Sequence, residues 1–202
     1  MKRMLILIAA VLLACVGGKG RGAGDRLPIL SAGVSASSDG QLVLTAEAVR
    51  QDSLEGSAAS LYLTTSGDDP AALFTGAEQL LAGQLYLSHA RTFVIDEAVA
   101  REGIAPLVQV LLAQDDVRLT LRLAVARDVT ADEIVRAQAV VEEIPGEALG
   151  ALLDAHAVQG GLPDLPLCRV SDRILSGADF SLPALTLTED GRVIPAGQAD
   201  FR

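Results

Sequence analysis

Two histidines, two cysteines and a set of scattered carboxylates are the residues of this chain that could do chemistry. His89 and His156 could ligate a metal or act as general bases, with Asp96, Asp154 or Glu147 as company. Zinc sites usually show ligands in local pairs, and catalytic ones need three protein ligands. The sequence holds no such pair. His89 falls at the entrance to a strand and His156 on an apolar helix stripe, so both read as structural. A nucleophile elbow, a phosphate loop and a Cys–His pattern at useful spacing are also missing. Gly17-Gly18-Lys19-Gly20 superficially imitates a phosphate loop, without the preceding strand and following helix. No catalytic, cofactor-binding or metal-binding residue is therefore assigned, and the expectation is a protein that is not an enzyme.

The cysteines point to an anchor. Lys2-Arg3 makes a basic start and Met4 to Ala14 an uninterrupted apolar run, too short for a bilayer span and suited to a signal peptide. Leu12-Leu13-Ala14-Cys15 reads as a lipobox, so residues 1–14 would be removed and Cys15 lipidated. A lipidated Cys15 cannot form a disulfide, which leaves Cys168 unpaired. Leu165, Pro166, Leu167 and Val170 around it favour a small buried hydrophobe over a reactive thiol. Residues 15–26, with Gly17, Gly18, Gly20, Gly22 and Gly24, read as a flexible tether. Lys19, Arg21 and Arg26 there would sit near anionic headgroups.

Residues 27–202 are about one domain's length. Half the chain is apolar but only 3% is aromatic, so the core must be built from Leu, Val, Ile and Ala. The net charge is −10, and removing Lys2 and Arg3 takes it to −12. Nucleic acid and a membrane-hugging domain surface are both disfavoured, since both partners are negative.

The elements follow from period and punctuation. Pro28 to Ser37 reads as a strand, Asp39-Gly40 as a hairpin turn, and Gln41 to Val49 as its partner, with Leu42, Leu44, Ala46 and Ala48 on one face. Ser60 to Ser66 is a third strand. Asp69-Pro70 starts a helix whose buried stripe is Leu73, Phe74, Ala77, Leu80 and Leu81, closed by Gly83.

The stretch from Leu85 to Arg127 organises the rest. Leu85-Tyr86-Leu87 is extended and Thr92-Phe93-Val94-Ile95 is a strand. Asp96 N-caps a helix from Glu97 to Glu102, which Gly103 ends in the left-handed region. Ile104, Leu107, Val108, Leu111 and Leu112 stripe a second helix. Arg118 to Ala126 alternates, with Leu119, Leu121, Leu123 and Val125 on one face and Arg118, Thr120 and Arg122 on the other. Strand, helices, strand makes a crossover unit within one sheet.

Thr130-Ala131-Asp132-Glu133 is a capping box opening a helix to about Ala137. Pro145-Gly146 breaks the chain, and Glu147 to Ala157 is helical, with Leu149, Leu152, Leu153 and His156 on one stripe. Gly160-Gly161, Pro163 and Pro166 read as linker, and Ser171 caps a short helix to Ser176. A last hairpin, Ala184 to Ile194, turns at Asp190-Gly191 and would leave an edge that a partner strand could complete. The expected fold is one α/β (or α+β) domain, a mixed sheet flanked by helices, in the order βββα-βααβ-ααα-ββ.

Several of these segments resemble one family. Leu85-Tyr86-Leu87-Ser88-His89 through Ala100-Arg101-Glu102-Gly103-Ile104 resembles the N-terminal domain of spore-germination lipoproteins, the C subunits of germinant receptors (Ger(x)C). Further similar segments are Asp116-Val117-Arg118-Leu119, Glu143-Ile144-Pro145-Gly146-Glu147 with its leucine-rich helix, Ile29 to Val34, and the lipobox. Asp25-Arg26 resembles a remnant of the charged cluster before the first strand. Two features depart from the family: no Trp stands beside Cys15, and members usually continue into a large C-terminal region, whereas this chain stops at Arg202.

The resemblance implies a lipid-anchored, non-enzymatic subunit on the outer face of the inner spore membrane. It would assemble with two integral membrane receptor subunits to respond to nutrients. The alternative is a solute-binding lipoprotein of a transport system. Such proteins normally have two lobes around a cleft, and so few aromatics make a poor sugar or amine cage.

Overall fold

The computed structural model describes residues 28–51, 58–81, 85–137 and 144–202. The signal segment, Cys15, the tether, Leu27, Gly83 and Glu143 lie outside the described residues. In chain order the elements are β1 (Ile29–Ala36), β2 (Leu42–Gln51), β3 (Ala58–Gly67), α1 (Pro70–Leu81), β4 (Thr92–Asp96), α2 (Glu97–Glu102) and α3 (Ala105–Leu112). They continue with β5 (Arg122–Ala126), α4 (Ala131–Val135), α5 (Pro145–Val158), α6 (Leu167–Ser176), β6 (Phe180–Leu187) and β7 (Val193–Phe201). This is the order expected from the sequence.

The seven strands of the described residues form one mixed sheet, ordered β3-β2-β1-β4-β5-β6-β7. The central β1, β4, β5 and β6 run parallel, while β2, β3 and β7 are antiparallel additions. The Asp39-Gly40 turn makes the first hairpin, with Gly40 at φ 85 and the Ser37 amide donating to Gln41 O at 2.8 Å. The β4-α2-α3-β5 crossover joins neighbouring parallel strands, in register from Thr92 opposite Arg122 to Asp96 opposite Ala126. The fold is a single α/β domain.

Helices cover both faces of the sheet. On one, Leu73 and Phe74 of α1, Val99 of α2, Leu107 and Leu111 of α3, and Leu167 and Val170 of α6 pack against Phe93, Ile95, Leu123 and Val125. On the other, Ala131, Ile134 and Val135 of α4 and Leu149 and Leu153 of α5 pack against Val94, Ala124 and Ala126.

The structure corrects several local expectations. Residues 118–120 turn rather than extend, Leu119 is 57% exposed, and β5 starts at Arg122. The Leu121 amide bonds back to Arg118 O, closing that turn, while Leu121 itself is buried. Pro145-Gly146 opens α5 instead of breaking the chain, because a first-turn proline has no amide to leave unbonded. For α6 the N-cap is Pro166, five residues ahead of the cap expected at Ser171. Gly103 does end α2, but at φ 111 and ψ 132, an extended glycine conformation outside the left-handed helical region. Leu80 lies at the solvent face of α1 with 65% exposure, while Leu73, Phe74 and Ala77 are buried and Leu81 is partly buried against the same core. Cys168 is half-buried rather than buried.

Candidate functional site

The face under α4 and α5 is polar where the opposite face is hydrocarbon. Register places Tyr62 of β3 beside Glu47 of β2, Glu47 beside Ser31 of β1, Ser31 beside Thr92 of β4, and Thr92 beside Arg122 of β5. Five neighbouring strands thus contribute one transverse row of polar side chains. Ser31, Glu47 and Thr92 in this row are fully buried.

Helix α5 lies along the row with Gly146, Gly150 and Asp154, spaced four apart and so on one helix face. A methyl on Gly146 would come within 2.5 Å of the Glu47 carboxylate and 3.1 Å of Ser31 Cβ; only a residue without a side chain permits so close an approach. Asp154, two turns on, pairs with both Arg91 and Arg122, and Arg122 also donates to Asp164 at 2.9 Å. Burial alone would lower the Arg122 pKa, but its hydrogen bonds to Asp154 and Asp164 prevail and raise it.

Glu47 is the centre of this arrangement. Its two oxygens accept from Ser31 Oγ at 2.9 Å and Ser60 Oγ at 2.6 Å, and the Gly146 amide also donates to it. The carboxylate therefore sits at the N-terminal end of α5, where free amides and the helix dipole favour a negative charge. Burial still outweighs these bonds and pushes its pKa up.

Asp96 does the same for α4. It stands at the N-cap position of α2, but its side chain makes no bond to that helix. It accepts instead from the first amide of α4, Ala131 N, and from Ala36 N at 3.0 Å, where β1 ends. Burial raises its pKa as well. The Thr130–Glu133 capping box finishes the same helix start, as the sequence indicates. Asp132, one residue into α4, accepts from Thr45 Oγ1 and Arg136, and Arg136 reaches over the Tyr62 ring to Thr64 Oγ1 at 2.9 Å. One buried carboxylate from a strand thus fixes the start of each helix on this face.

Beyond the C-terminal ends of β4 and β5 is a hollow of about 340 Å³ lined by Asp96, Glu97, Asp128, Thr130 and Glu133, among others. Ligands of open α/β sheets bind at such ends. Its lining is acidic, and among the described residues no group of three or more His, Cys, Asp or Glu is placed to hold a metal.

The structure disperses the residues singled out for chemistry. His89 is exposed before the first residue of β4, its ring 5.7 Å from that of Tyr86. Asp96 is at the far end of that strand, whose length from Thr92 alone is roughly 13 Å at 3.3 Å per residue. His156 is half-buried in the last turn of α5 and Glu147 exposed in its first. Asp154 is committed to two arginines, and Cys168, in the first turn of α6, has no disulfide partner among the described residues. Cys15 lies outside the described residues.

Sequence reasoning missed Glu47, whose alternation within β2 reads as solvent-facing. Two signals were available: the small residues Ser31, Gly33 and Ser35 alternating along β1, and the Gly146/Gly150 spacing in α5. Both leave room for a helix to approach a sheet closely.

The profile of the spore germination protein N-terminal domain matches residues 24–187, from just before β1 to the end of β6. No curated protein and no solved structure matches the chain. The match takes in six of the seven strands and every helix of the described fold, and on that basis the chain belongs to the spore germination protein N-terminal domain family.

Proposed function

We propose that this protein is a lipid-anchored, non-enzymatic subunit of a nutrient germinant receptor that acts by assembling with integral membrane subunits. Family membership supplies the germination role. The observation that supports assembly over catalysis is the use made of the two buried carboxylates. Glu47 and Asp96 spend their oxygens on backbone amides and serine hydroxyls that hold helices to the sheet. A general acid or base needs a free position facing substrate.

The proposed contact with the membrane is through Cys15, on the ground of the Leu12-Leu13-Ala14-Cys15 lipobox; among the described residues no helix is long and apolar enough to cross a membrane. An anchor and a glycine-rich tether would confine the domain near the bilayer. The raised local concentration lets a weak interface suffice. The described residues form one sheet, whereas the solute-binding alternative calls for two lobes around a cleft.

The test is affinity purification of the tagged chain from solubilised spore membranes. The wild type should bring down multi-spanning subunits, Cys15→Ala should bring down fewer, and the mature N-terminus should be an acylated Cys15. Recovery of no membrane partner, with a hydrolytic activity abolished by His89→Ala, would overturn the proposal.

A further inference from the structure

The two edges of the sheet are built differently. At β7 the ladder with β6 slips between Pro183 and Leu185, Pro195 has no amide to donate, and Gly197 takes φ 86. The Arg127 guanidinium reaches across to bond Ala196 O at 2.6 Å and Gln198 O at 2.9 Å, fixing the irregular segment in place. Asp200 adds a charge near the end. These are the devices that keep an edge strand from pairing further.

None of them occurs at β3. Its ten residues, Ala-Ala-Ser-Leu-Tyr-Leu-Thr-Thr-Ser-Gly, include no proline and no charge. They pair with β2 over their whole length without a register shift. Among the described residues no backbone hydrogen bond reaches the outer side of this strand. Helix α1 covers one face of β3, with Thr65 Oγ1 bonded to Leu73 O, and Arg136 lies over Tyr62 on the other. Leu61, Tyr62 and Leu63 remain half-buried, leaving both faces ready to be extended by one more strand.

Charge says which strand. Exposed Asp68 and Asp69 follow the edge directly. A second copy, with net charge −10 and the same Asp68-Asp69 pair, would be repelled. We propose that the outer edge of β3 receives an extended strand of another protein, uncharged along its middle and carrying lysine or arginine at the end that lies beside Asp68 and Asp69. Backbone bonds would supply the affinity and the Asp68-Asp69 pair the choice of partner. This deepens the assembly reading given above and rests on it for the biological partner, while the edge chemistry stands on its own.

The probe is a synthetic peptide of about ten alternating threonine and valine residues with two lysines at each end, set against the same peptide ended in glutamates. Titrated against the full chain, the lysine-ended peptide should bind and the glutamate-ended one should bind roughly tenfold more weakly or worse. Ala59→Lys with Ser66→Lys, both exposed positions of β3, should weaken the lysine-ended peptide by roughly tenfold with the thermal midpoint retained. Asp200→Lys, an added positive charge on the β7 edge, should leave it unchanged. Asp68→Asn with Asp69→Asn should narrow the gap between the two peptides.

Equal binding of both peptides, no binding of either, or loss with Asp200→Lys alone would overturn the proposal. So would a wild-type dimer that Ala59→Lys/Ser66→Lys dissolves, which would make a second copy the occupant. Membrane subunits recovered undiminished with Ala59→Lys/Ser66→Lys would reject the β3 edge and leave assembly standing. No recovery with the wild type would reject assembly itself.

Discussion

The two faces of the central sheet are held by different physics. Under α1, α2, α3 and α6 the strands present Phe93, Ile95, Leu123 and Val125, and the helices answer with Leu and Val. That contact is non-directional and scales with the apolar area removed from water. Under α4 and α5 the strands β1, β2 and β4 present Ser31, Thr45, Glu47, Thr92 and Asp96, all buried, with hydrocarbon only around them. There the helices are placed by hydrogen bonds to their N-terminal amides, which have a direction and a length. The first face supplies stability and the second supplies position. A polar network of this kind is worth keeping only if its members are satisfied.

The largest effect should come from charges placed on each face of β5. Leu123 and Ala124 are adjacent, point to opposite faces, and are both fully buried. Leu123→Asp and Ala124→Asp should each cost about 4 kcal/mol or more, by burying an unpaired carboxylate. Denaturant melts will show it. A mild Ala124→Asp would mean that α4 and α5 do not close the polar face. Thr120→Asp, in the exposed turn before the strand, should stay within about 0.5 kcal/mol.

Two glycines sharpen the comparison at the next scale. A methyl on Gly33 would meet Ala131 Cβ at 2.9 Å and Val94 O at 3.1 Å, with backbone and a helix behind them. Gly33→Ala should therefore cost about 1–3 kcal/mol by forcing α4 off the sheet. At Gly150 the nearest atoms belong to the flexible Arg91 side chain, at 3.0 Å, which can swing aside. Gly150→Ala should be close to neutral, since the added helix propensity offsets the lost surface ion pair. Thermal midpoints that rank the two the other way would contradict the close-approach account.

Glu47 tests the polar face by chemistry. Glu47→Ala would strand Ser31, Ser60 and the Gly146 amide and should cost about 2–3 kcal/mol. Glu47→Gln keeps the shape and one acceptor, so at neutral pH it should cost little. Burial raises the pKa of both Glu47 and Asp96 in the folded chain. Between the ordinary carboxylate pKa and the raised folded value, the native state holds more protons than the unfolded one. The stability linked to them is thus present at the lower pH and lost as pH rises through the folded pKa. Glu47→Gln should flatten that decline and Glu97→Gln should not. An unchanged slope in the Glu47 variant would remove Glu47 from the account.

The smallest expected effect is at Thr92, whose buried hydroxyl has no hydrogen-bond partner among the described residues. Thr92→Val should be neutral or slightly stabilising in denaturant melts. A clear loss would mean that the hydroxyl is bonded after all.

These contrasts also mark what the sequence made legible. The apolar face was readable because Leu73, Phe74, Leu107 and Leu111 recur at helical spacing and Leu123 and Val125 at strand spacing. The element order followed from those periods and from Gly40, Pro70 and Thr130. The polar face was not readable, because alternation marks Thr45 and Glu47 as outward-facing. Only the central position of β1 and β4, set by parallel pairing, places helices on both sides. Asp96 was legible as a cap but assigned to α2, since the start of α4 comes close only through the β4–β5 pairing. Arg118 to Thr120 imitates a strand in pattern, yet the turn closed by the Leu121 amide fixes its shape.

The central proposal is that the buried carboxylates are architecture and that the protein works by assembling with partners. The most direct measurement is nutrient-triggered germination of spores whose copy of this protein carries Glu47→Gln, with its abundance in the spore membrane quantified alongside. A germination rate equal to wild type at equal abundance is the predicted result. A rate abolished while the variant is present at normal abundance and still bound to its membrane partners would make Glu47 a reacting group and contradict the account.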